Sequence, residues 1–253
     1  MGLCLNRLSL NIAKTNFVIF HAINKPVHNV TLKINKQAIN ETKYVKYLGI
    51  LIDSHLTFNH HIDELTKKIS RSIGVLYKVR YYVNTKLLCN LYYAIIYPFL
   101  LYGIIIWGNT SRSATDHVFV LQKKFVRLAS FSDHRESYIL PHSLPLFQSL
   151  RILDIYKIFK LQLAKFVYES INDIGPAQSI IEFTAVSETH SHNTRFSSRG
   201  NLHKDSVRTL RYGLRSISYE GALLWTLIPH HIQNKPSKKL FILHYKEYLL
   251  LLN

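Results

Sequence analysis

Phosphoryl transfer, zinc chemistry and nucleophilic catalysis each need particular side chains at particular spacings, and the sequence offers few of them. Two-metal phosphoryl transfer needs carboxylates brought together on oxygen-loving magnesium. The seven aspartates, Asp53, Asp63, Asp116, Asp133, Asp154, Asp173 and Asp205, stand apart. Asp63-Glu64 is the one adjacent acidic pair, and its place near a helix start is explained by the helix dipole. The histidines at 60–61, 190/192 and 230–231 invite zinc. Zinc wants three or four ligands on a rigid frame, and neither a CxxC nor an HExxH supplies them. Cys4 and Cys89 are far apart, and Cys89 beside a long apolar run reads as core rather than nucleophile. GxSxG, P-loop and GxGxxG motifs do not occur. No catalytic or metal-ligating residue is assigned.

Cations are the residues in surplus. Thirty-two Lys and Arg against fifteen Asp and Glu give a net charge of +17 in 253 residues. That excess favours polyanions, nucleic acid first and an acidic membrane surface second. Lys67, Lys68, Arg71 and Lys78 form one cluster and Lys123, Lys124 and Arg127 another. On exposed helix faces such residues meet phosphates and give affinity without sequence readout; a merely solvated face is the plainer alternative. A third basic stretch, Arg195 to Arg215, holds six Lys/Arg and one acid, Asp205. It reads as a flexible arm able to wrap RNA or DNA, or as a loop with no partner.

The elements that would position these cations follow from periodicity. Residues 9–53 read as short strands: VIFHA (18–22), VTLKI (30–34) and YLGILI (47–52), with Gly49 marking a bend or a close backbone approach. After Asp53 the period becomes helical. Phe58, Ile62, Leu65, Ile69, Ile73, Leu76 and Val79 make one apolar stripe. Thr57 or Asn59 caps it, and Lys67, Arg71 and Lys78 fall on the far side with Lys68 near the edge. Asn84-Thr85 opens a second helix that Pro98 should kink or end. Residues 113–130 form an amphipathic helix with Val118, Leu121, Phe125 and Leu128 inward. The stretch 143–172 contains a long helix capped near Ser149 and stopped by Gly175-Pro176. Residues 208–219 read as two short basic strands, and 237–252 as a closing helix capped by Ser237. Apolar residues at 47%, with 16 Tyr and 13 Phe, supply a core and argue against a disordered chain.

Residues 87–111 carry no charge, and LYYAIIYPFLLYGIIIW (91–107) is long enough to span a bilayer. Pro98, Asn90 and four tyrosines inside the run favour a buried helix pair instead, because the hydroxyls then find partners. The two distant cysteines fit a reducing intracellular compartment. No signal segment is expected, since Arg7 interrupts any apolar core; Gly2 alone, with Asn6 where Ser or Thr is required, makes no myristoylation site.

NRLSLNIAKTNFVIF (6–20) followed by KYVKYLGILID (43–53) resembles the closing part of the palm in reverse transcriptases of non-LTR retrotransposons, closest to the jockey-like group. LYYAIIYPFLLYGIIIWGN (91–109), LQKKFVRL (121–128) and YEGALLWTLIP (219–229) resemble that family's thumb, following helices and terminal segment, in the same order. Ile228 stands where Leu is usual. The resemblance covers about residues 6–250. It implies that Lys14, of the Lys14-Thr15 pair, lies near the incoming nucleotide's phosphates. It also implies that Tyr47-Leu48-Gly49 belongs to a hairpin gripping the primer, and that the helix bearing Lys67 is a thumb helix packing on the template–primer duplex. In the family, an aspartate and an adjacent Asp-Asp pair hold Mg2+; that pair is missing here, so no cofactor is expected in this chain.

The fold expected is α+β, mainly α: palm-end strands and a primer-grip-like hairpin (1–53), a helical thumb-like bundle (54–175), and a basic loop with C-terminal strands and helix (176–253). The function expected is that of a reverse-transcriptase fragment, without polymerase activity of its own, binding RNA and DNA without sequence preference and acting on no small molecule. Fingers and most of the palm would precede residue 6. The rivals are a membrane protein anchored at 87–111 and a helical interaction module with no nucleic-acid role. A nuclear location follows only from the family's habit of priming on chromosomal DNA.

Overall fold

The computed structural model describes residues 11–25, 30–130, 142–174, 181, 183–189, 201–204 and 206–252; of Ala13, Glu188, Thr189, Arg211 and Tyr212 it describes the backbone alone. Two compact units result, Met1–Glu64 and Leu65–Asn253. The described residues are mostly helical with a few short strands, bearing out an α+β chain that is mainly α.

In the first unit, β1 (Asn16–Phe17) pairs in parallel with β4 (Asn40–Glu41). β2 (Lys33–Ile34) and β3 (Gln37–Ala38) form one antiparallel hairpin, and β5 (Tyr44–Tyr47) and β6 (Ile50–Asp53) another. Both hairpins turn through two residues of positive φ, Asn35-Lys36 (50° and 64°) and Leu48-Gly49 (45° and 85°). That is the turn geometry whose twist matches the flanking strands. The expected bend at Gly49 is this turn. The strand expected at 18–22 does not form, because the backbone beyond Phe17 makes single bonds rather than a ladder, among them His21 N–H to the Ser54 carbonyl (3.1 Å). Of VTLKI, only Lys33–Ile34 pairs.

Asp53 joins the second hairpin to the first helix, α1 (Asn59–Val79). Its buried carboxylate accepts from the Phe58 amide (2.7 Å), the Thr57 amide and hydroxyl (3.0 Å each) and the His55 amide (3.0 Å). Leu56 and Phe58 both take positive φ, 52° and 55°. The turn therefore aims successive N–H groups at one carboxylate, satisfying donors that a helix start leaves open. Burial alone would raise this carboxyl, but the hydrogen bonds outweigh it and hold it below the usual carboxylate range. Along α1 the apolar stripe is buried as expected, from Ile62 through Leu65, Ile69 and Ile73 to Leu76.

The uncharged stretch of the second unit is not one helix. It runs as α2 (Thr85–Leu91), a π turn (Tyr92–Ile96), α3 (Tyr97–Leu101) and α4 (Ile104–Trp107), with Gly103 left-handed at φ 62°. Asn84 caps it as expected, accepting from the Leu87 amide (2.9 Å). Leu88, Tyr92, Ile96, Leu100 and Ile104 are buried, a spacing of four. An α-helix would rotate that spacing off one face, and the wider π turn brings it back. Among the described residues no helix is long and apolar enough to cross a membrane.

α5 (Arg112–Ala129) follows, then α6 (Ser143–Ser149) and α7 (Ile155–Ile171). The long helix expected within 143–172 therefore starts later than its expected cap near Ser149, and a separate short helix, α6, precedes it. Arg151, at φ 54°, ends α6: the Ile152 amide reaches the Phe147 carbonyl (2.9 Å) and the Arg151 amide that of Gln148 (3.0 Å), a left-handed C-terminal closure. Asp154, not Ser149, caps α7 through the Lys157 amide (2.9 Å). α7 ends by the same closure at Asp173 (φ 55°), with the Ile174 amide on the Glu169 carbonyl (2.8 Å). Gly175 and Pro176, the expected stop, lie outside the described residues.

The short α8 (Val186–Thr189) precedes a π turn at Leu210–Leu214 and α9 (Ile217–Leu227). The two strands expected over 208–219 are therefore not formed. Ser216 accepts from the Tyr219 amide (3.3 Å) and Glu220 sits in the first turn, so capping chemistry overrides a brief alternation. α10 (His230–Gln233) and α11 (Lys238–Leu251), capped by Ser237 as expected, complete the chain's elements.

The hub is α7, covered by α9, α11, α5 and the α3–α4 segment. Tyr168 stacks on Phe241 (4.5 Å between centroids), and Trp225 lies beside Phe241 (5.8 Å). Gly221 permits the approach of α9: a Cβ there would meet Val167 Cγ2 and Phe183 Cζ, each at 2.9 Å. Gln122 is buried inside α5. Its amide donates to the Tyr92 hydroxyl (2.9 Å) and the Leu153 carbonyl (3.2 Å), and its oxygen accepts from the Ile155 amide (2.7 Å).

Candidate nucleic-acid interface

The ridge on α1 arises because its inward positions are taken by aliphatics at steps of three and four, which sends the cations outward. Lys67, Lys68, Arg71 and Lys78 are all exposed. At 3.6 residues per turn, Lys67, Arg71 and Lys78 fall within roughly 40° of one another along roughly 16 Å of helix, with Lys68 about one residue's rotation away. Gly74 lies on the same stripe, and nothing stands within 4 Å of where its Cβ would be. The stripe is therefore a shallow, open, cationic track. Between Glu64 and Asp116 the chain has no acidic residue, while Lys67, Lys68, Arg71, Lys78, Arg80, Lys86 and Arg112 all fall there.

The second cluster is divided by its own packing. Lys124 is exposed, whereas Lys123 and Arg127 are half-buried. The Lys123 ammonium stands over the Phe119 ring at 4.7 Å. The Arg127 Nε is buried without a hydrogen-bond partner. One of these three cations is thus fully presented to solvent.

In the first unit, Tyr47 and Leu48 are 64% and 73% exposed at the tip of the β5–β6 hairpin, with Gly49 completing the turn. Leu48 holds a left-handed conformation that costs a branched side chain energy. Lys14 is exposed at the end of a single 3-10 turn (Ile12–Lys14), whose start is capped by Asn11. The candidate residues therefore fall into an α1 track and an α5 position in one unit, and a hairpin tip and a turn in the other.

Three aromatic–cationic residues escaped the sequence reading. Arg80, just beyond α1, lies over the Tyr77 ring at 3.9 Å and the Tyr81 ring at 4.7 Å, and donates to the Tyr81 hydroxyl (2.6 Å). The signal was the string LYKVRYY (76–82), where cations and aromatics interleave.

Among the described residues no three His, Cys, Asp or Glu side chains come together to hold a metal. Three of the aspartates have structural duties: Asp53 at the turn into α1, Asp154 as the α7 cap, and Asp116 accepting from the Tyr156 hydroxyl. His21 and His55 meet edge to face (4.5 Å), and His230 pairs with Asn234 (3.0 Å). His190, His192, Asp133 and Asp205 lie outside the described residues, as does residues 195–200 of the expected basic arm.

No family model matches the chain, and no solved structure does. Among curated proteins it is 30% identical over 126 residues to the RNA-directed DNA polymerase from mobile element jockey of Drosophila funebris, covering 49% of this chain and 14% of that protein. It is 31% identical over 111 residues to the probable RNA-directed DNA polymerase from transposon BS of Drosophila melanogaster, covering 41% and 12%. It is 26% identical over 129 residues to the probable RNA-directed DNA polymerase from transposon X-element of the same species, covering 48% and 13%. The chain thus matches about an eighth of the length of these relatives. The resemblance to jockey-like retrotransposon reverse transcriptases is borne out over that portion.

Proposed function

We propose that this chain is a thumb-bearing portion of a retrotransposon reverse transcriptase and that its own capacity is to hold an RNA–DNA hybrid or template–primer by the phosphates. The observation that carries this reading is the exposed track of Lys67, Arg71 and Lys78 with Lys68 beside it, inside an acid-free stretch. A track of point charges on one helix neutralises successive phosphates and reads no base edges, so binding would tolerate any sequence. Lys124 would add a contact from α5, and the exposed Tyr47-Leu48 tip would touch a nucleic-acid backbone if it grips a primer. Lys14 near a nucleotide's phosphates, and a nuclear location, rest on the same family reading. The aspartates with structural duties support binding rather than catalysis as the role of this portion.

The test is affinity for a labelled RNA–DNA hybrid across a salt series, with Lys67, Lys68, Arg71 and Lys78 changed together to Gln in a second protein. The slope of log affinity against log salt should fall by about 3–4 units in that variant. A folded wild-type protein that binds no hybrid at low salt, or a variant with an unchanged slope, would overturn the proposal.

A further inference from the structure

We propose that the C-terminal end of α1 carries a stacking site for the unpaired bases of a single-stranded nucleic acid, built from Tyr77, Arg80 and Tyr81 with Tyr82 next in the chain. It rests on the nucleic-acid reading above but concerns a different ligand feature, the base face rather than the phosphate.

Three tyrosines at the end of one helix stay in water: Tyr77 is 53% exposed, Tyr81 55% and Tyr82 88%. Arg80 ties two of them together, its guanidinium 3.9 Å over one ring and 4.7 Å over the other, with a 2.6 Å hydrogen bond to the Tyr81 hydroxyl. A guanidinium so placed fixes ring orientation before any ligand arrives, which lowers the ordering cost of binding. The Tyr77 and Tyr81 rings are therefore exposed and also pre-oriented, and Tyr82 is exposed beside them.

Charge decides what covers them. Lys78 and Lys86 are exposed on either side in sequence, and no acid occurs between Glu64 and Asp116. An apolar protein partner would have to desolvate these cations without compensation. A single strand supplies what this surface lacks, an anionic backbone for the lysines and a flat π face for each ring, in the combination used by sequence-tolerant strand binders. A duplex keeps its bases stacked inside and can offer such faces only at its ends, so the site selects unpaired nucleotides.

The experiment measures binding of the full chain to labelled single strands of about twenty nucleotides, oligo-dT and oligo-rU, beside a blunt RNA–DNA hybrid of equal length. Tyr77, Tyr81 and Tyr82 are changed together to Ala in one variant and together to Phe in another, and Arg80→Lys is a third. The Ala variant should lose roughly tenfold or more in single-strand affinity, with its salt slope and its hybrid affinity retained, because stacking releases no counterions. The Phe variant should hold single strands as wild type does, which also shows that the fold tolerates change here. Arg80→Lys keeps the charge, loses the planar stack and should weaken single-strand binding. An Ala variant that binds single strands as wild type does would overturn the site, and so would equal losses for hybrid and single strand. If wild type binds the hybrid but not single strands, this site falls and the phosphate track stands. Failure to bind either would remove both.

Discussion

Gln122 is a polar residue placed where an aliphatic one would fit the pattern of α5, and its three hydrogen bonds explain why. It links the Tyr92 hydroxyl in the π turn, the Leu153 carbonyl and the Ile155 amide at the start of α7. Gln122→Leu would leave those three groups buried without this partner, a change expected to cost about 2–4 kcal/mol. Urea unfolding should show the midpoint falling with an unchanged slope; a midpoint within error of wild type would show that water replaces the amide. Asp53 gives the corresponding case for a charge. Its folded-state pKa is depressed, so its stabilisation is present above the unfolded value, about 3.9, and is lost as pH falls through the folded one. Asp53→Asn should therefore be less stable than wild type at neutral pH, and the two stability curves should converge below about pH 4. Parallel curves down to strong acid would mean that the carboxylate's charge contributes nothing to the turn.

Two glycines on helices separate what packing demands from what propensity prefers. Gly221 in α9 meets α7 so closely that an added Cβ would stand 2.9 Å from Val167 and from Phe183, whereas Gly74 in α1 faces open space. Gly221→Ala should destabilise by about 1–3 kcal/mol through overpacking. Gly74→Ala should stabilise by up to about 1 kcal/mol through helix propensity alone. Thermal melts of the two variants should thus move in opposite directions, and a common direction would refute the packing assigned to α9. These elements also mark how far sequence reasoning reached. The α1 stripe was legible because aliphatics at steps of three and four admit one reading, and the α1 cations followed as its far side. The start of α7 was legible only roughly, near Ser149 instead of at Asp154, since it depends on Arg151 taking a left-handed conformation that no glycine announces. The strands expected over 208–219 failed because a Ser216 cap outweighs a few alternating residues. The Arg80 stack was missed because LYKVRYY continues the helical pattern up to the point where the helix ends and the rings turn together.

At the scale of the molecule the burden of stability is unevenly carried. Among the described residues of 11–49 none is buried, and the first core side chains are Ile50 and Leu51. The strands before β5 are two residues long, and hairpins of that size are not stable by themselves in water. The second unit instead holds a helix, α7, buried on most of its circumference from Ile155 to Ser170. Opening the early hairpins therefore exposes little apolar surface, while exposing α7 means losing the core. Native-state hydrogen exchange should show the amides of residues 33–41 exchanging by local opening at a small fraction of the free energy that protects α7, whose amides should exchange only through global unfolding. The positive net charge sharpens the contrast. If the hybrid is held by the α1 track, its addition at low salt should slow exchange in α1, which carries the track, and in α7, whose amides open only when the second unit unfolds. It should also slow exchange in β5 and β6 if the Tyr47-Leu48 tip grips a strand as the family resemblance implies. Protection of α1 with no change at residues 44–53 would confine nucleic-acid binding to the helical unit. Protection equal in residues 33–41 and in α7 without any ligand would refute the division of stability itself.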